Sequence, residues 1–432
     1  MLRPLALALL FPFPALAQMA MPSGPGSSSI MIGAQAIGLV TRVSPAFDGR
    51  DFTEGYLTQP AVMAHARAFN GRLALRATLD LEGLTLRRGE LTPGSYGEGY
   101  VDRRHPHTYS HEIVATLATG DDGGDHARRR GAASLTTGKG FAPFGTDDPM
   151  TRPFVKFPAN HHLAQILERL VVIGAARAGP VTIEAGLFNG DEPVSASSAP
   201  EWHRFGDSWS GRVTVAPRNG RLAGLELQAS HAAVTSPEYA PGGGSDQRKW
   251  SASARFERGP RVAGGGRYAL VEWASTDDLF NGRRAFTFTS LLAEGALGWR
   301  GAELALRAER TVRPEEERLM DFFRAARPHT DASILGRTRW EVVTAHVESA
   351  PLRVARLRAR PLVEVALSRA VEVVRPSAFT PSLFYGSDRQ LSLSAGLRLE
   401  AGATHRRMGR YGVAESGDAT HARDAHVHAG HD

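Results

Sequence analysis

The sequence contains no cysteine, which excludes disulfide bonds, thiolate nucleophiles and cysteine-ligated zinc or iron–sulfur sites. Lysine is also scarce, because only Lys139, Lys156 and Lys249 occur and arginine supplies the other basic residues. After the N-terminal segment there is no run of roughly 18 apolar residues, the length that a membrane-spanning helix needs. Any crossing of a membrane is therefore expected to use β-strands.

The first 17 residues have the composition of a cleaved signal peptide. Arg3 supplies a positive charge, residues 5–13 form an apolar core, and Ala15-Leu16-Ala17 offers a cleavage site between small residues. The apolar core is too short to cross a bilayer as a helix. We therefore expect export, with a mature chain that starts at Gln18 and a linker over residues 18–29.

Further along the chain, apolar and polar residues alternate over stretches of about ten residues, the length of a transmembrane β-strand. Between Leu75 and Leu81 every second residue is apolar, and Arg76, Thr78 and Asp80 fill the positions between them. Residues 249–257 and 391–400 repeat this pattern. A side-chain period of two is typical of a β-strand. One apolar face and one charged face on each strand is what a transmembrane β-barrel requires.

The alternation predicts sixteen strands. They cover residues 30–41, 59–69, 72–82, 110–119, 127–138, 164–177, 181–189, 207–217, 221–234, 247–258, 261–273, 285–299, 302–311, 337–348, 357–373 and 388–401. Short turns such as Asn70-Gly71 follow most even-numbered strands. Long connections follow the odd-numbered strands, at residues 42–58, 83–109, 139–163, 190–206, 235–246, 274–284, 312–336 and 374–387.

This rhythm is typical of outer-membrane barrels, which have short turns at one end and long loops at the other. The sequence therefore predicts an all-β fold, a transmembrane up-and-down antiparallel β-barrel over residues 30–402. The turns would be periplasmic and the loops extracellular. A count of about 14 or 18 strands stays open, because strand numbers of outer-membrane barrels vary in twos. A soluble β-sandwich is the alternative class.

Charged residues within the strands are expected to face the lumen, because an arginine facing lipid costs about 2–4 kcal/mol at the bilayer midplane. The residues placed there are Arg76, Asp80, Arg255, Glu257, Glu303, Arg307 and Arg398. Both signs are present, so the lumen should be mixed in charge.

A resemblance to a known family begins at the third long connection. Residues 138–145, Gly-Lys-Gly-Phe-Ala-Pro-Phe-Gly, are similar to the Gly-x-hydrophobic-x-x-Pro-Phe-Gly stretch of Gram-negative outer-membrane porins of the phosphate-selective (O/P) type. The chain lacks a lysine ladder, so phosphate specificity is not carried over. The resemblance implies that loop 139–163 folds into the lumen and that its polar residues line a constriction: Asp147, Asp148, Arg152, Lys156, His161 and His162. An ordinary surface loop is the alternative.

Two histidine-rich segments offer ligands for a borderline metal such as zinc, copper or nickel. The first is residues 102–112, with His105, His107 and His111; the second is residues 403–432, with His421, His426, His428 and His431. Low apolar content predicts that residues 403–432 are a disordered periplasmic tail. Ordinary hydrogen bonding in the first segment and a solvated tail without a role are the alternatives.

No Gly-x-Ser-x-Gly elbow, P-loop or dinucleotide fingerprint occurs, so an enzyme is not expected. The sequence predicts an outer-membrane, porin-like channel for passive diffusion of small hydrophilic solutes. Loss of Arg3 with the signal peptide reduces the net charge from +6 to +5, and this excess, with Arg152 and Lys156 in the proposed constriction, favours a mild preference for anions. No cofactor is expected beyond an accessory divalent metal. The expected partners are outer-membrane lipid and small hydrophilic or anionic solutes, with a homotrimer left open and no nucleic acid. The alternative function is a non-conducting barrel that handles divalent metal or acts as a surface or adhesion protein.

Overall fold

The structure of the 432-residue chain is a computed structural model. It describes residues 28–86, 90–95, 99–102, 107–119, 131–193, 195–200, 202–217, 219–239, 241–259, 266–316, 334–355, 357–375, 377–405 and 407–415. The expected signal peptide, residues 1–17, lies outside these residues.

The described residues form nineteen strands and three short α-helices. The strands are β1 (Ser29–Phe47), β2 (Arg50–Ala68), β3 (Leu73–Asp80), β4 (Glu90–Ser95), β5 (Gly99–Asp102), β6 (Ser110–Ala118), β7 (Ala132–Gly140), β8 (Arg169–Ala178), β9 (Val181–Phe188), β10 (Ser208–Val215), β11 (Leu225–Val234), β12 (Asp246–Arg258), β13 (Arg267–Phe280), β14 (Arg283–Trp299), β15 (Ala302–Glu316), β16 (Ile334–Glu348), β17 (Leu352–Val354), β18 (Leu357–Glu372) and β19 (Arg389–Gly402). The helices are α1 (Glu82–Thr85), α2 (His161–Ala164) and α3 (Pro381–Tyr385).

Sixteen of these strands close into one antiparallel barrel. Each strand pairs with its neighbours in chain order, and β1 closes the ring by pairing with both β2 and β19. The strands of the barrel are β1 to β3, β6 to β16, β18 and β19. Strands β4 and β5 form a separate hairpin, and the three-residue β17 pairs only with the start of β18. The predicted sixteen-stranded antiparallel barrel is confirmed.

The two faces of the barrel differ sharply in polarity. Large apolar side chains stand exposed on the outer face, for example Leu306 and Val343, while arginines and carboxylates point inward and are buried. Alternation along every strand produces this separation, because consecutive side chains point to opposite faces. A closed ring with an apolar outside satisfies its backbone hydrogen bonds internally, as a membrane-spanning segment must. Within the described ranges, no helix is long and apolar enough to cross a membrane.

Two of the expected long loops are tight hairpins instead. β1 and β2 are joined only by Asp48-Gly49, and β13 and β14 only by Asn281-Gly282, so the predictions of loops at 42–58 and 274–284 are wrong. All four turn residues have positive φ angles, between 48° and 72°. This is the two-residue turn that Asp-Gly and Asn-Gly favour between twisted strands. The paired strands continue beyond the stretches of clear alternation.

Two further boundaries differ from the prediction. The predicted strand over 164–177 begins only at Arg169, because residues 161–164 form α2 and the next residues remain part of the connection. The predicted strand over 302–311 is longer than expected, because β15 continues through Pro314 to Glu316. At Pro314 the strand has a partner on one side only, β16, and a proline without an N–H is tolerated there.

Candidate functional site in the barrel lumen

Residues 141–168, between β7 and β8, fold into the barrel and cross its lumen; we call them the inner loop. On one side, the backbone N–H of Gly145 donates to Ser230 Oγ of β11 at 3.0 Å. On the opposite side, the side chain of Val155 packs against Ile37 and Leu39 of β1. The inner loop therefore reaches from one wall of the barrel to the other.

Carboxylates on the wall hold the backbone of the inner loop. Glu364 of β18 accepts from the N–H of Val155 at 2.9 Å, and Glu309 of β15 accepts from the N–H of Ala159 at 2.7 Å. Buried backbone donors need such partners, and these supply them in the absence of secondary structure. Gly145 also permits a close chain reversal: its φ is +69°, and a Cβ there would lie 1.8 Å from the carbonyl oxygen of Ala164.

The two basic residues of the inner loop are paired rather than free. Arg152 Nη2 lies 3.2 Å from Glu272 Oε2, and Lys156 Nζ lies 3.2 Å from Glu90 Oε1. Burial alone would lower the pKa of Arg152, but Glu272 and nearby Glu294 raise it above its ordinary value. Burial lowers the pKa of Lys156, and Glu90 only partly opposes this effect. Neither cation presents an uncompensated charge to the lumen.

Asp147, Asp148 and His161 are buried in the inner loop as well. Burial would raise the pKa of Asp147, but Arg407, Arg255 and Arg410 hold it below its ordinary value. The His161 ring lies 4.7 Å from that of Phe157, and burial keeps the pKa of His161 well below its usual range.

His162 is less buried than the other residues proposed for the constriction, and its carbonyl oxygen accepts from Lys249 Nζ at 2.7 Å. The structure thus places all six of these residues within the inner loop. Five of them, all except His162, are buried.

Residues 403–415, which follow β19, turn back into the lumen; we call them the tail segment. The turn is fixed where the N–H of Ala403 donates to the carbonyl oxygen of Ile32 at 3.1 Å. Arg407 then bridges two carboxylates: its Nε lies 2.9 Å from Asp147 Oδ2 and its Nη1 lies 2.8 Å from Glu226 Oε2. One guanidinium therefore ties the inner loop, the tail segment and strand β11 together.

The next residues extend this docking to other strands. Arg410 donates to Glu226 Oε1 at 2.9 Å and to Thr214 Oγ1 of β10 at 2.7 Å. The hydroxyl of Tyr411 donates to Glu112 Oε2 of β6 at 2.8 Å and accepts from the N–H of Phe141 at 3.1 Å. Burial lowers the pKa of Arg410 to about 10. Burial and then Glu112 raise the pKa of Tyr411.

The expectation that residues 403–432 are a disordered periplasmic tail does not hold for residues 403–415. Their low apolar content resembled that of a solvated tail, but Arg407 and Arg410 have carboxylate partners on the lumen wall and in the inner loop. These partners lie far away in the sequence, so composition alone could not identify them. The sequence Met-Gly-Arg-Tyr-Gly at 408–412 was the one available signal, because its glycines permit tight turns. Residues 416–432 lie outside the described residues.

All the strand residues that we expected to face the lumen lie on the inner face of the barrel, and most are paired there. Arg307 Nε lies 2.8 Å from Glu294 Oε2, and Arg398 Nε lies 3.0 Å from Glu348 Oε2. The other members of this set are Arg76, Asp80, Arg255, Glu257 and Glu303, of which only Glu257 is less than fully buried. Among the buried described residues, carboxylates outnumber arginines and lysines.

Two of the histidines expected to bind metal come together in the lumen wall. His107 and His111 both approach Glu168, a residue from the end of the inner loop that the sequence did not connect with them. His105, His421, His426, His428 and His431 lie outside the described residues, so their proposed role stays a prediction.

The described lumen is therefore a charged interior narrowed by two segments, the inner loop and the tail segment. Charges of both signs line this interior and many of them are paired, for example Arg307 with Glu294 and Arg398 with Glu348. Displacing the tail segment would remove Arg407, Arg410 and Tyr411 from the space between β6, β10 and β11, and it would leave the closed barrel intact.

Neither a protein-family model nor a curated protein matches the chain. Several solved structures of outer-membrane proteins match its shape. One is an anion-selective porin from Comamonas acidovorans, with 11% identity, covering 87% of this chain and 100% of that chain, at a TM-score of 0.49. Another is OmpT in its trimer form, an outer membrane protein of Vibrio cholerae, with 10% identity, 87% and 100% coverage and a TM-score of 0.47. A third is OccK2 of Pseudomonas aeruginosa in complex with glucuronate, with 9% identity, 87% and 98% coverage and a TM-score of 0.37. At these identities and TM-scores the likeness concerns the barrel fold and says nothing of the solute or assembly of this protein.

Proposed function

We propose that the protein is an outer-membrane channel for passive diffusion of small hydrophilic solutes, and that the tail segment restricts the channel. One observation carries the proposal: the sixteen-stranded barrel encloses a charged interior, and residues 403–415 fill part of that interior without belonging to the wall. A sixteen-stranded barrel is wide enough to leave an aqueous channel, so the segments inside it determine what passes.

The proposal includes only a mild preference for anions. Without Arg3 of the expected signal peptide the net charge falls from +6 to +5, and this positive excess attracts anions. Inside, Arg152 and Lys156 are compensated by Glu272 and Glu90, so they add little selectivity. Reversal potentials in a salt gradient test this part separately, and a clear preference for cations would overturn it.

Single-channel recording in planar bilayers tests the channel itself. Three forms of the protein are compared: the full chain, a variant without residues 416–432, and a variant without residues 403–432. Both truncations leave β19 complete, because this strand ends at Gly402. We expect small, matching conductance steps from the first two forms. We expect larger ohmic steps from the third, because only that deletion removes the tail segment from the lumen.

The middle variant is the matched control, because it shortens the chain without removing Arg407, Arg410 or Tyr411. Heat-modifiable migration on a gel verifies that each barrel is folded before recording. If the folded variant without residues 403–432 shows no conductance, the channel proposal is wrong. If all three forms conduct equally, the protein is a channel but the tail segment does not restrict it.

A non-conducting barrel that handles divalent metal is the second candidate function. The observation in its favour is a buried cluster of two histidines and a glutamate, His107, His111 and Glu168, in the described part of the lumen wall. Conductance after removal of residues 403–432 would argue against it, whereas silence together with metal binding would favour it.

A further inference from the structure

Two histidines and one glutamate converge in the lumen wall at the entrance of β6. His107 precedes the strand, His111 is its second residue, and Glu168 immediately precedes β8. One ligand atom from each lies within 4.8 Å of the other two, and all three side chains are buried. His111 Nδ1 is 2.5 Å and His107 Nδ1 is 3.3 Å from the same atom, Glu168 Oε1.

We propose that His107, His111 and Glu168 bind one divalent metal ion of the borderline class, such as Zn²⁺. Two imidazole nitrogens and one carboxylate oxygen are a donor set that this class prefers. With metal–ligand bonds of about 2.0–2.1 Å, the ligands of a tetrahedral site stand about 3.3 Å apart. One of the two separations at Glu168 already has this value, and the other has to open by less than about 1 Å to reach it. A water molecule would complete the coordination.

The surroundings of His111 favour metal binding at its Nδ1 atom. On the other side of the ring, Nε2 lies 3.4 Å from Asp148 Oδ2 of the inner loop. Both of these atoms are buried and have no hydrogen-bond partner within normal geometry. A neutral imidazole carries its proton on one nitrogen, so a carboxylate at Nε2 stabilises the tautomer that leaves Nδ1 free as a ligand. Histidine ligands commonly donate their other N–H to a carboxylate in this way.

Glu168 is held in place by the backbone. The N–H of Thr108 approaches both carboxylate oxygens, at 3.1 Å and 3.2 Å. Glu168 itself has a φ of +57°, which is uncommon for a residue other than glycine. Uncommon backbone conformations of this kind are found more often at functional positions.

Part of the shell around the cluster is aromatic. The ring of Phe141 lies 5.2 Å from that of His111, and the ring of Phe157 lies 5.6 Å from that of His107. Such a shell limits access of water and strengthens metal–ligand interactions. A bound ion would connect β6 with the end of the inner loop, and through Asp148 with its middle. The site would therefore fix the inner loop, and the inference does not depend on whether the barrel conducts.

Metal titration of the purified full chain tests the site. The histidines at 421, 426, 428 and 431 are first replaced by asparagine, because they could bind metal separately. Co²⁺ is added as the spectroscopic probe, and Zn²⁺ is then used to displace it. We expect one equivalent of Co²⁺ with the visible absorption of a low-coordinate site. We expect His107→Ala and Glu168→Gln each to weaken binding by at least tenfold.

Two further variants separate ligands from neighbours. Asp148→Asn replaces the carboxylate beside His111 Nε2 and retains an oxygen for the N–H of Met150, which Asp148 Oδ1 accepts at 2.6 Å. We expect a weakening of about 10–100-fold, which is usual for groups that orient a ligand. His231→Gln is the matched control, because this histidine lies between Trp209 and Trp250, away from the cluster, and we expect no change. All variants are checked for heat-modifiable migration. Absence of stoichiometric binding in the folded background protein would overturn the inference. Unchanged affinity in the isosteric Glu168→Gln variant would also overturn it.

Discussion

At the scale of single residues, Arg407 is the side chain on which docking of the tail segment depends. It compensates Asp147 and Glu226, and both of these carboxylates are buried. Removing one partner of a buried ion pair typically costs about 3–5 kcal/mol. Asp147 keeps Arg255 and Glu226 keeps Arg410, so we expect a loss at or below the lower end of that range. We therefore expect Arg407→Met to release the tail segment from the lumen. Limited trypsin digestion measures this, because cleavage after the buried Arg410 requires that the segment leave the barrel.

A matched control for this prediction is the ion pair between Arg42 and Asp51. It has good geometry, at 2.6 Å, but both side chains are largely exposed. Exposed pairs contribute about 0–1 kcal/mol, so Arg42→Met should leave cleavage after Arg410 unchanged. Equal protection of Arg410 in the native chain and in the Arg407→Met variant would show that other contacts hold the tail segment.

The ion pair between Asp147 and Arg407 predicts that docking of the tail segment depends on pH. Burial would raise the pKa of Asp147, but Arg407, Arg255 and Arg410 keep it below its ordinary value of 3.8. A group whose pKa is lowered in the docked state stabilises that state above the ordinary pKa, and the contribution is lost as the pH falls through the lowered value. We therefore expect the tail segment to be released, and the conductance of the full chain to increase, only as the pH falls below 3.8. The variant without residues 403–432 controls for other carboxylates. A parallel increase in that variant would contradict the role of Asp147.

At the scale of elements, the tail segment fits its place only because certain positions are glycine. Gly412 has a φ of +54°, and a Cβ there would lie 2.3 Å from Ser134 Oγ of β7. A left-handed conformation costs a residue other than glycine roughly 1–2 kcal/mol, and the steric conflict adds to this. Gly412→Ala should therefore weaken docking, increase cleavage after Arg410 and increase the single-channel conductance.

Gly174 on β8 provides the control for this substitution. It lies on the outer face of the barrel, and a Cβ added there would meet no atom within 4 Å. Gly174→Ala should leave both the cleavage and the conductance unchanged. If the two alanine variants behave alike, backbone geometry at position 412 does not control docking.

The strands could be predicted from the sequence because each carries its own signal. Alternation places Arg76 and Asp80 inward and Leu75 and Leu79 outward without reference to any other strand. The hairpins at Asp48-Gly49 and Asn281-Gly282 were missed because the strands that enter them no longer alternate clearly. Their turn residues nevertheless matched a known two-residue type, so the information was present locally.

The site was less predictable, because it depends on contacts between distant parts of the chain. The sequence identified the inner loop and its charged residues, and it identified His107 and His111. It could not identify Glu168 as their partner or Asp147 as the partner of Arg407, because ion pairs between separate loops leave no periodic pattern. Composition wrongly indicated disorder for residues 403–415 for the same reason. It takes account of the polarity of their arginines, but it cannot predict that buried carboxylates elsewhere in the chain pair with them.

At the scale of the whole molecule, the outer face of the barrel defines where lipid must be. On β15, Leu304 and Leu306 are exposed to the outside. Toward the start of β15, the exposed Trp299 packs against Arg300. Toward its other end, the exposed Arg310 pairs with Glu341. Aromatic and charged side chains of this kind are typical of the two membrane interfaces. Leu306 therefore lies near the middle of the apolar band.

A charge at that position should destabilise the folded barrel in lipid. An arginine facing lipid costs about 2–4 kcal/mol at the midplane and about 0–1 kcal/mol near an interface. We expect Leu306→Arg to lower the free energy of unfolding by the larger amount, measured by urea denaturation in lipid vesicles with tryptophan fluorescence. Val354→Arg is the matched control, because Val354 is equally exposed but lies on β17, in the connection at one end of the barrel. Equal losses at the two positions would contradict the placement of Leu306 in the lipid core, because a midplane arginine must cost more than one at the end of the barrel.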